Sequence, residues 1–245
     1  MNDLALRTRR VIAIDGPAAS GKSTTAAAVA DRLGFAHLNS GLLYRAFAWR
    51  TLREGWDETA ESYASRIAGV AIEFRTAPDG LQLYIDGESP GEALHGRDVA
   101  ARVSAVASVA CVRVAVFEQL RAAAGHLDLV CDGRDIGTTV FPGADLKIYL
   151  VADASERARR RLLDFGDGTD EEKVIEEAER LRRRDEADAT RELSPLRKAS
   201  DAIEIDTTST SAPDVVDRIL ALAKQRGMPP RRGIDPRTPL DSNLR

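Results

Sequence analysis

The chain has 245 residues, 43% of them hydrophobic and 30% charged, with a formal net charge of −4. That is enough to bury a substantial core, as one large domain or as one domain with appended lobes. The charge balance supplies no global basic field for nucleic acid, no apolar run reaches bilayer length, and "MNDLALRTRR" carries no apolar signal core, so a cytoplasmic protein acting on neither nucleic acid nor membrane is expected.

Val11–Ile14, a β-branched run, suits a strand buried on both faces of a parallel sheet. "KSTTAAAVADRLG" suits a helix stopped by Gly34. Between them lies "GPAASGKS", residues 16–23. A glycine-rich turn is costly to order, and its spacing of Gly16, Gly21, Lys22 and Ser23 is that of a phosphate-binding P-loop. The glycines let backbone N–H groups converge on phosphate oxygens, and the helix N-terminus adds partial positive charge. Lys22 reaches for the β- and γ-phosphates and Ser23 for Mg²⁺ carried on ATP. The predicted ATP-binding stretch is Gly16, Pro17, Ala18, Ala19, Ser20, Gly21, Lys22, Ser23 and Thr24. A P-loop identifies a nucleotide, not a reaction.

Phe35–Leu38 is a short strand, and Ser40 an expected N-cap for the helix "LLYRAFAWRTLRE", with Leu43, Phe47 and Leu52 facing a core. Arg45 falls in the first turn, where the helix dipole offers a cation nothing. An anionic ligand nearby would explain it, although a solvated arginine is the plainer reading of that residue alone. Residues 58–100 change texture: "AIEFR", "TAPDG" and "LQLYID" predict an antiparallel hairpin with Asp-Gly turn chemistry. The alanine- and valine-rich run that follows is helical and breaks near Ser108. Ser104 and Arg113 are nine residues apart, so they share no face of a straight helix and meet at one ligand only across that break.

Leu127–Cys131 and Leu146–Val151 are two more buried strands. Between them, Asp132-Gly133-Arg134-Asp135 sits at the carboxyl end of a core strand, where open α/β sheets bind ligands. Cys111 and Cys131 lack CxxC spacing and are expected to be reduced, buried thiols, while His37, His95 and His126 lack metal-ligand spacing and are taken as structurally ordinary. Arg157, Arg159, Arg160 and Arg161 are placed at the end of one helix, Gly166-Asp167-Gly168 at a hinge, and Arg182, Arg183 and Arg184 at the end of the next. Such arginines on both sides of a hinge fit a mobile cover over a triphosphate. Ala202–Asp206 is a last strand, "DVVDRILALAKQRG" a last helix, and residues 228–245 are expected to be a disordered tail.

The set "IDGPAASGKST", "NSGLLYRA", "DGRDIGTTVFPGADLKIYL", "ERARRR", "RRRDEADATRELSPL" and "DAIEIDT", spanning residues 11–206, resembles the bacterial cytidylate (CMP) kinases of the nucleoside monophosphate kinase group. The resemblance implies a three-layer α/β P-loop kinase in a single domain: a parallel-sheet core (about 10–38, 127–155 and 200–227), a nucleotide-acceptor lobe carrying a small antiparallel insert (about 39–126), and a helical lid (about 156–192). It implies Mg²⁺- and ATP-dependent phosphorylation of CMP and dCMP by a monomer. Lys22, Arg45, Arg134 and Arg157 would be catalytic, with Arg45 and Arg134 on the acceptor phosphate and Tyr44 nearby. Ser40, Arg113, Asp135 and Arg191 would form the cytosine pocket, and Ser104, Arg184 and Asp188 the ribose site. The chain departs from the family at Asn39, where Asp is usual, which puts the turnover rate in doubt more than the substrate. Two other readings stand beside it. A kinase of the same fold acting on UMP or a shikimate-like alcohol would not need Asp135 together with Arg191, and a non-enzymatic P-loop switch would carry an NKxD-type motif, which is absent.

Overall fold

The computed structural model describes residues 9–57, 59–77 and 80–229. Five parallel strands form the central sheet: β1 (Val11–Asp15), β2 (Ala36–Asn39), β5 (Leu129–Gly133), β6 (Leu146–Val151) and β7 (Ile203–Asp206), in the order β2-β5-β1-β6-β7. Side-chain alternation divides the core in two. Ile12, Ile14 and Val130 face α1 (Lys22–Leu33) and α8 (Ala212–Gln225), whereas Ala13, Leu129 and Cys131 face a second cluster built on α2 (Ser40–Glu54), α4 (Arg97–Ser108) and α5 (Ala110–Ala124). Helices on both faces of a parallel sheet give three layers.

Between α2 and α4 the chain adds α3 (Ala60–Ile67) and an antiparallel pair, β3 (Ile72–Ala77) with β4 (Gly80–Ile85), whose Ile72, Leu83 and Ile85 dock onto the second cluster. The expected hairpin is there; part of its predicted Asp-Gly turn lies outside the described residues. The helical break falls at Val109, which leaves the helical region, and the axes of α4 and α5 differ by 96°. No single helix among the described residues is long and apolar enough to cross a membrane. Helices α6 (Ala154–Asp164) and α7 (Glu171–Thr190) share a small apolar cluster, Ala158, Leu162, Val174 and Leu181, with Ala18 of the P-loop.

Several sequence expectations need correction. Leu52 is 37% exposed, because at about 100° per residue it lies roughly 140° around α2 from Phe47. Ser40 is the first helical residue rather than the cap; Asn39 takes the cap position, but its side chain makes no capping bond to the helix. Helix α7 runs on to Thr190, so Arg182–Arg184 lie within it, not at its end. Cys111 is only half-buried. The tail does not begin at residue 228: Met228 is 2% exposed, donates its amide to the Ala223 carbonyl (3.0 Å) and joins the core beneath α1 and α8. The expectation for residues 230–245 lies outside the described residues. Met228→Ala is therefore expected to cost about 2 kcal/mol or more, lowering Tm by roughly 5 °C or more. Differential scanning calorimetry of the two proteins tests this, and an unchanged Tm would remove Met228 from the core.

Candidate active site

Connections from β1 lead to one side of the sheet, to β2 and β5, and the later ones to the other side, to β6 and β7. That reversal opens a crevice at the carboxyl ends of the strands. The P-loop leaves β1 there. At Gly16 φ is 151° and a Cβ would lie 2.1 Å from the Leu150 carbonyl oxygen, so no other residue fits. Gly21, at φ 83°, turns the chain into α1. Ala19 holds φ 58°, a left-handed value that costs a non-glycine residue energy. Lys22 is buried, with Nζ donating to the Pro17 carbonyl (2.5 Å) and the Ser20 hydroxyl (3.3 Å). Burial, then the Arg134 charge, pull its pKa well below the usual lysine value. A bound polyanion reverses that penalty.

Ser23 donates its hydroxyl to Asp132 Oδ2 (2.7 Å) and accepts from Asn39 Nδ2 (2.9 Å). His37 Nε2 lies 2.7 Å from Asp132 Oδ1. Gly133 follows without a side chain, because a Cβ would meet Ser40 Oγ at 2.5 Å and Ile136 at 2.8 Å; Ser40 Oγ itself donates to the Asp132 carbonyl (2.8 Å).

Arg45, Arg134, Arg161 and Arg184 converge on the same cleft. Arg45 donates to the Leu94 carbonyl (2.8 Å), Arg134 Nε to Asp188 Oδ2 (3.1 Å), and Arg184 Nε is buried without a hydrogen-bond partner. Burial first, and then neighbouring guanidinium groups, pull the pKa values of Arg45 and Arg184 down to about 10. Four half-buried guanidinium groups, two of them paired with carboxylates (Arg134 with Asp188, Arg161 with Glu177 at 3.5 Å), still crowd one cleft and mark a site for an anion.

Deeper in the cleft, Arg113 and Asp135 are 2% and 3% exposed and form an ion pair. Arg113 also donates to the Ala107 carbonyl (3.0 Å), and its guanidinium lies 5.4 Å from the centre of the Tyr44 ring. Arg191 stands 3.8 Å from Asp135 and 3.5 Å from Asp188. Arg113 Nε, Arg191 Nη2 and the Tyr44 hydroxyl are buried without a hydrogen-bond partner. Buried donors left unmade are costly, and a ligand carrying acceptors would satisfy them. The 96° break between α4 and α5 brings Ser104 and Arg113 into this one cleft.

A sequence profile of the family described as cytidylate kinase matches residues 12–225. The chain belongs to the cytidylate kinase family. It is 42% identical over 225 residues to the cytidylate kinase of Geobacillus kaustophilus (strain HTA426), covering 90% of this chain and 99% of that one. The cytidylate kinase of Geobacillus thermodenitrificans (strain NG80-2) is 41% identical with the same coverage, and that of Bacillus subtilis (strain 168) is 41% identical over 88% of this chain and 96% of its own. The chain is thus a nucleoside monophosphate kinase, a phosphotransferase.

Most residues expected to serve a cytidylate kinase site line one cleft: Ala18, Ala19, Lys22 and Ser23 at one end, Ser40, Tyr44, Arg45, Ser104 and Arg134 along it, and Arg113, Asp135, Arg184, Asp188 and Arg191 beyond. Gly16, Pro17, Ser20, Gly21 and Thr24 shape the loop without lining the cleft, Ser20 by donating to the Pro17 carbonyl (3.1 Å) and Thr24 as an exposed residue of α1. Arg157 is not brought into the cleft. It donates to the Ala18 carbonyl (3.0 Å) and pairs with Asp185, whose other oxygen accepts the Ala18 amide (2.9 Å). Arg161, one turn later, lines the cleft instead. From the sequence, Asp132 stands at the ligand-binding end of its strand without a role, His37 reads as ordinary, and Asp185 draws no notice; the structure joins the first two to Ser23 and the third to the P-loop backbone.

Asp15, the last residue of β1, accepts the amides of Ile136 (2.8 Å) and Gly137 (2.7 Å). Burial outweighs those bonds and raises its pKa from 3.8 to about 6. A folded value above the unfolded one means that Asp15 favours folding below about pH 4 and loses that contribution as pH climbs through about 6. Relative to Asp15→Asn, which cannot titrate, wild type should lose about 3 kcal/mol of stability between about pH 4 and pH 7, with no further change above. Urea unfolding of both proteins across that range measures it; a difference independent of pH would contradict the burial argument.

Proposed function

We propose that this member of the cytidylate kinase family transfers the γ-phosphoryl group of ATP to CMP and dCMP, giving CDP and dCDP. The observation that carries the choice of base is the buried Arg113–Asp135 pair, with Arg191 beside it, at the far end of a cleft that starts at the P-loop. Cytosine offers an amino donor at C4 and acceptors at N3 and O2. Asp135 accepts and the two arginines donate, so the edge is matched group for group. Uracil inverts both C4 and N3, leaving buried charged groups unmatched at about 1–3 kcal/mol each. Ser104, Arg184 and Asp188 take the ribose, and Arg45 and Arg134 the acceptor phosphate.

The acceptor oxygen of CMP is already anionic, so no general base is needed. Catalysis is positioning and charge neutralisation. Lys22 meets the transferred phosphoryl group, Arg134 and Arg45 hold the acceptor oxygens in line, and Arg161 from the helix pair α6–α7 adds charge where it develops. That pair acts as the lid that excludes water, since water in the closed site would take the phosphoryl group. Mg²⁺ fits the donor set near Ser23: a serine hydroxyl with a lone pair not used by Asn39, beside the Asp132 carboxylate, both hard oxygen ligands. Among the described residues no cluster of three or more His, Cys, Asp or Glu side chains could hold a metal by itself. An ion carried on ATP needs no such cage. When bound, Mg²⁺ neutralises phosphate charge.

An acceptor panel with ATP, scored by ADP release, tests the proposal. CMP and dCMP should be phosphorylated, UMP far less well, and shikimate not at all; preference for UMP or an alcohol would overturn it. Lys22→Met should keep the far-UV circular dichroism of wild type while cutting turnover by roughly three orders of magnitude. Near-normal activity in that variant would remove the P-loop from the chemistry.

A further inference from the structure

Strand β2 carries two polar side chains two residues apart, His37 and Asn39, on either side of Leu38, which is buried in the α2–α5 cluster. Alternation places both on the opposite side of the strand from Leu38. Both reach the same short chain of hydrogen bonds. Asn39 Nδ2 donates to Ser23 Oγ, Ser23 donates to Asp132 Oδ2, and His37 Nε2 meets Asp132 Oδ1 at 2.7 Å. A carboxylate only accepts, so Nε2 carries the proton in that contact. Each Asp132 oxygen has one side-chain partner, and the two partners together fix the rotation of a carboxyl group that is almost fully buried. With the Asp132 plane fixed, the Ser23 O–H is committed to Oδ2, one Ser23 lone pair to Asn39, and the other lone pair is left in a set direction. Asn39 is a neutral amide, which leaves Asp132 as the one carboxylate recorded in a hydrogen bond with Ser23 among the described residues.

We propose that His37 is a positioning residue for the magnesium-bearing side of the P-loop: by holding Asp132 Oδ1 it aims the Ser23 hydroxyl oxygen at the cation that arrives with the nucleotide. The inference rests on the reading that Ser23 meets Mg²⁺. Groups one shell away from a metal typically change its affinity by about 10–100-fold when removed. His37 touches neither nucleotide nor metal, so its effect should appear in the magnesium-dependent part of binding and nowhere else.

Calorimetric titration of the full chain with ADP, once in EDTA and once in saturating Mg²⁺, separates the two parts. Wild type should bind Mg·ADP more tightly than ADP; no gain would defeat the magnesium reading itself, before His37 is in question. His37→Leu should keep the EDTA Kd within about twofold while losing roughly tenfold of the gain. His37→Gln, whose terminal amide nitrogen reaches about as far as Nε2 and donates, should keep the wild-type gain. His37→Asn, one methylene shorter, should lose it, and this polar pair decides the matter if the leucine variant does not fold. A wild-type gain in the leucine or asparagine variant, or a loss in the glutamine variant as large as theirs, would overturn the proposal.

Discussion

The carboxylate of Asp15 joins two loops that must not move relative to one another. It closes β1 one residue before the P-loop and accepts the amides of Ile136 and Gly137 directly after Arg134 and Asp135. The P-loop and the loop after β5 are thereby tied to each other through a single buried side chain, at the carboxyl ends of neighbouring strands paired in register from Val11–Leu129 to Asp15–Gly133. Phosphoryl transfer depends on the distance between two bound phosphates. Under the proposed function, sheet pairing and Asp15 together hold the two phosphate-binding loops at a fixed separation.

Around that fixed axis the remaining site residues come from elements that only tertiary packing brings together. The sharp turn at Val109 sends α5 across the end of α4 and gives the cleft both Ser104 and Arg113. Helix α7 serves both ends of the cleft at once: Asp185 accepts the Ala18 amide of the P-loop, while Arg184 and Asp188, with Arg191 just past the helix end, line the far part of the cleft. The crowding of arginines between these elements destabilises the empty protein, as the lowered pKa values of Arg45 and Arg184 indicate. The same crowding favours a phosphate-bearing ligand.

Contiguous signals were legible in the sequence and distributed ones were not. The P-loop announces itself because strand, glycine turn and helix are consecutive, and β6 was read at its observed bounds. Helical phase showed that Ser104 and Arg113 could meet at one ligand only across a break, while the resemblance supplied the reason for them to meet. Helix α3 escaped notice because it is only eight residues long: Ala60, Tyr63, Ala64 and Ile67 do share one face, but Tyr63 is its only buried residue and the stripe lasts just two turns. Arg157 and Arg161 could not be told apart: they lie four residues apart on one face, and the roughly 6 Å of rise between them decides which meets the P-loop backbone and which the cleft. His37 gave no sign, since a single histidine in a short strand is ordinary until its neighbour across the sheet is known.

The central claim is that a buried charged pair reads the base, and Asp135→Asn tests it most directly. The change preserves shape but gives the side chain a donor as well as an acceptor. Measured kcat/KM values for CMP and UMP should differ by about 10²–10⁴ in wild type, and by about tenfold or less in the variant, chiefly through loss of CMP use. A CMP/UMP ratio unchanged by the substitution would contradict the account and leave Asp135 as a residue that only orders its loop.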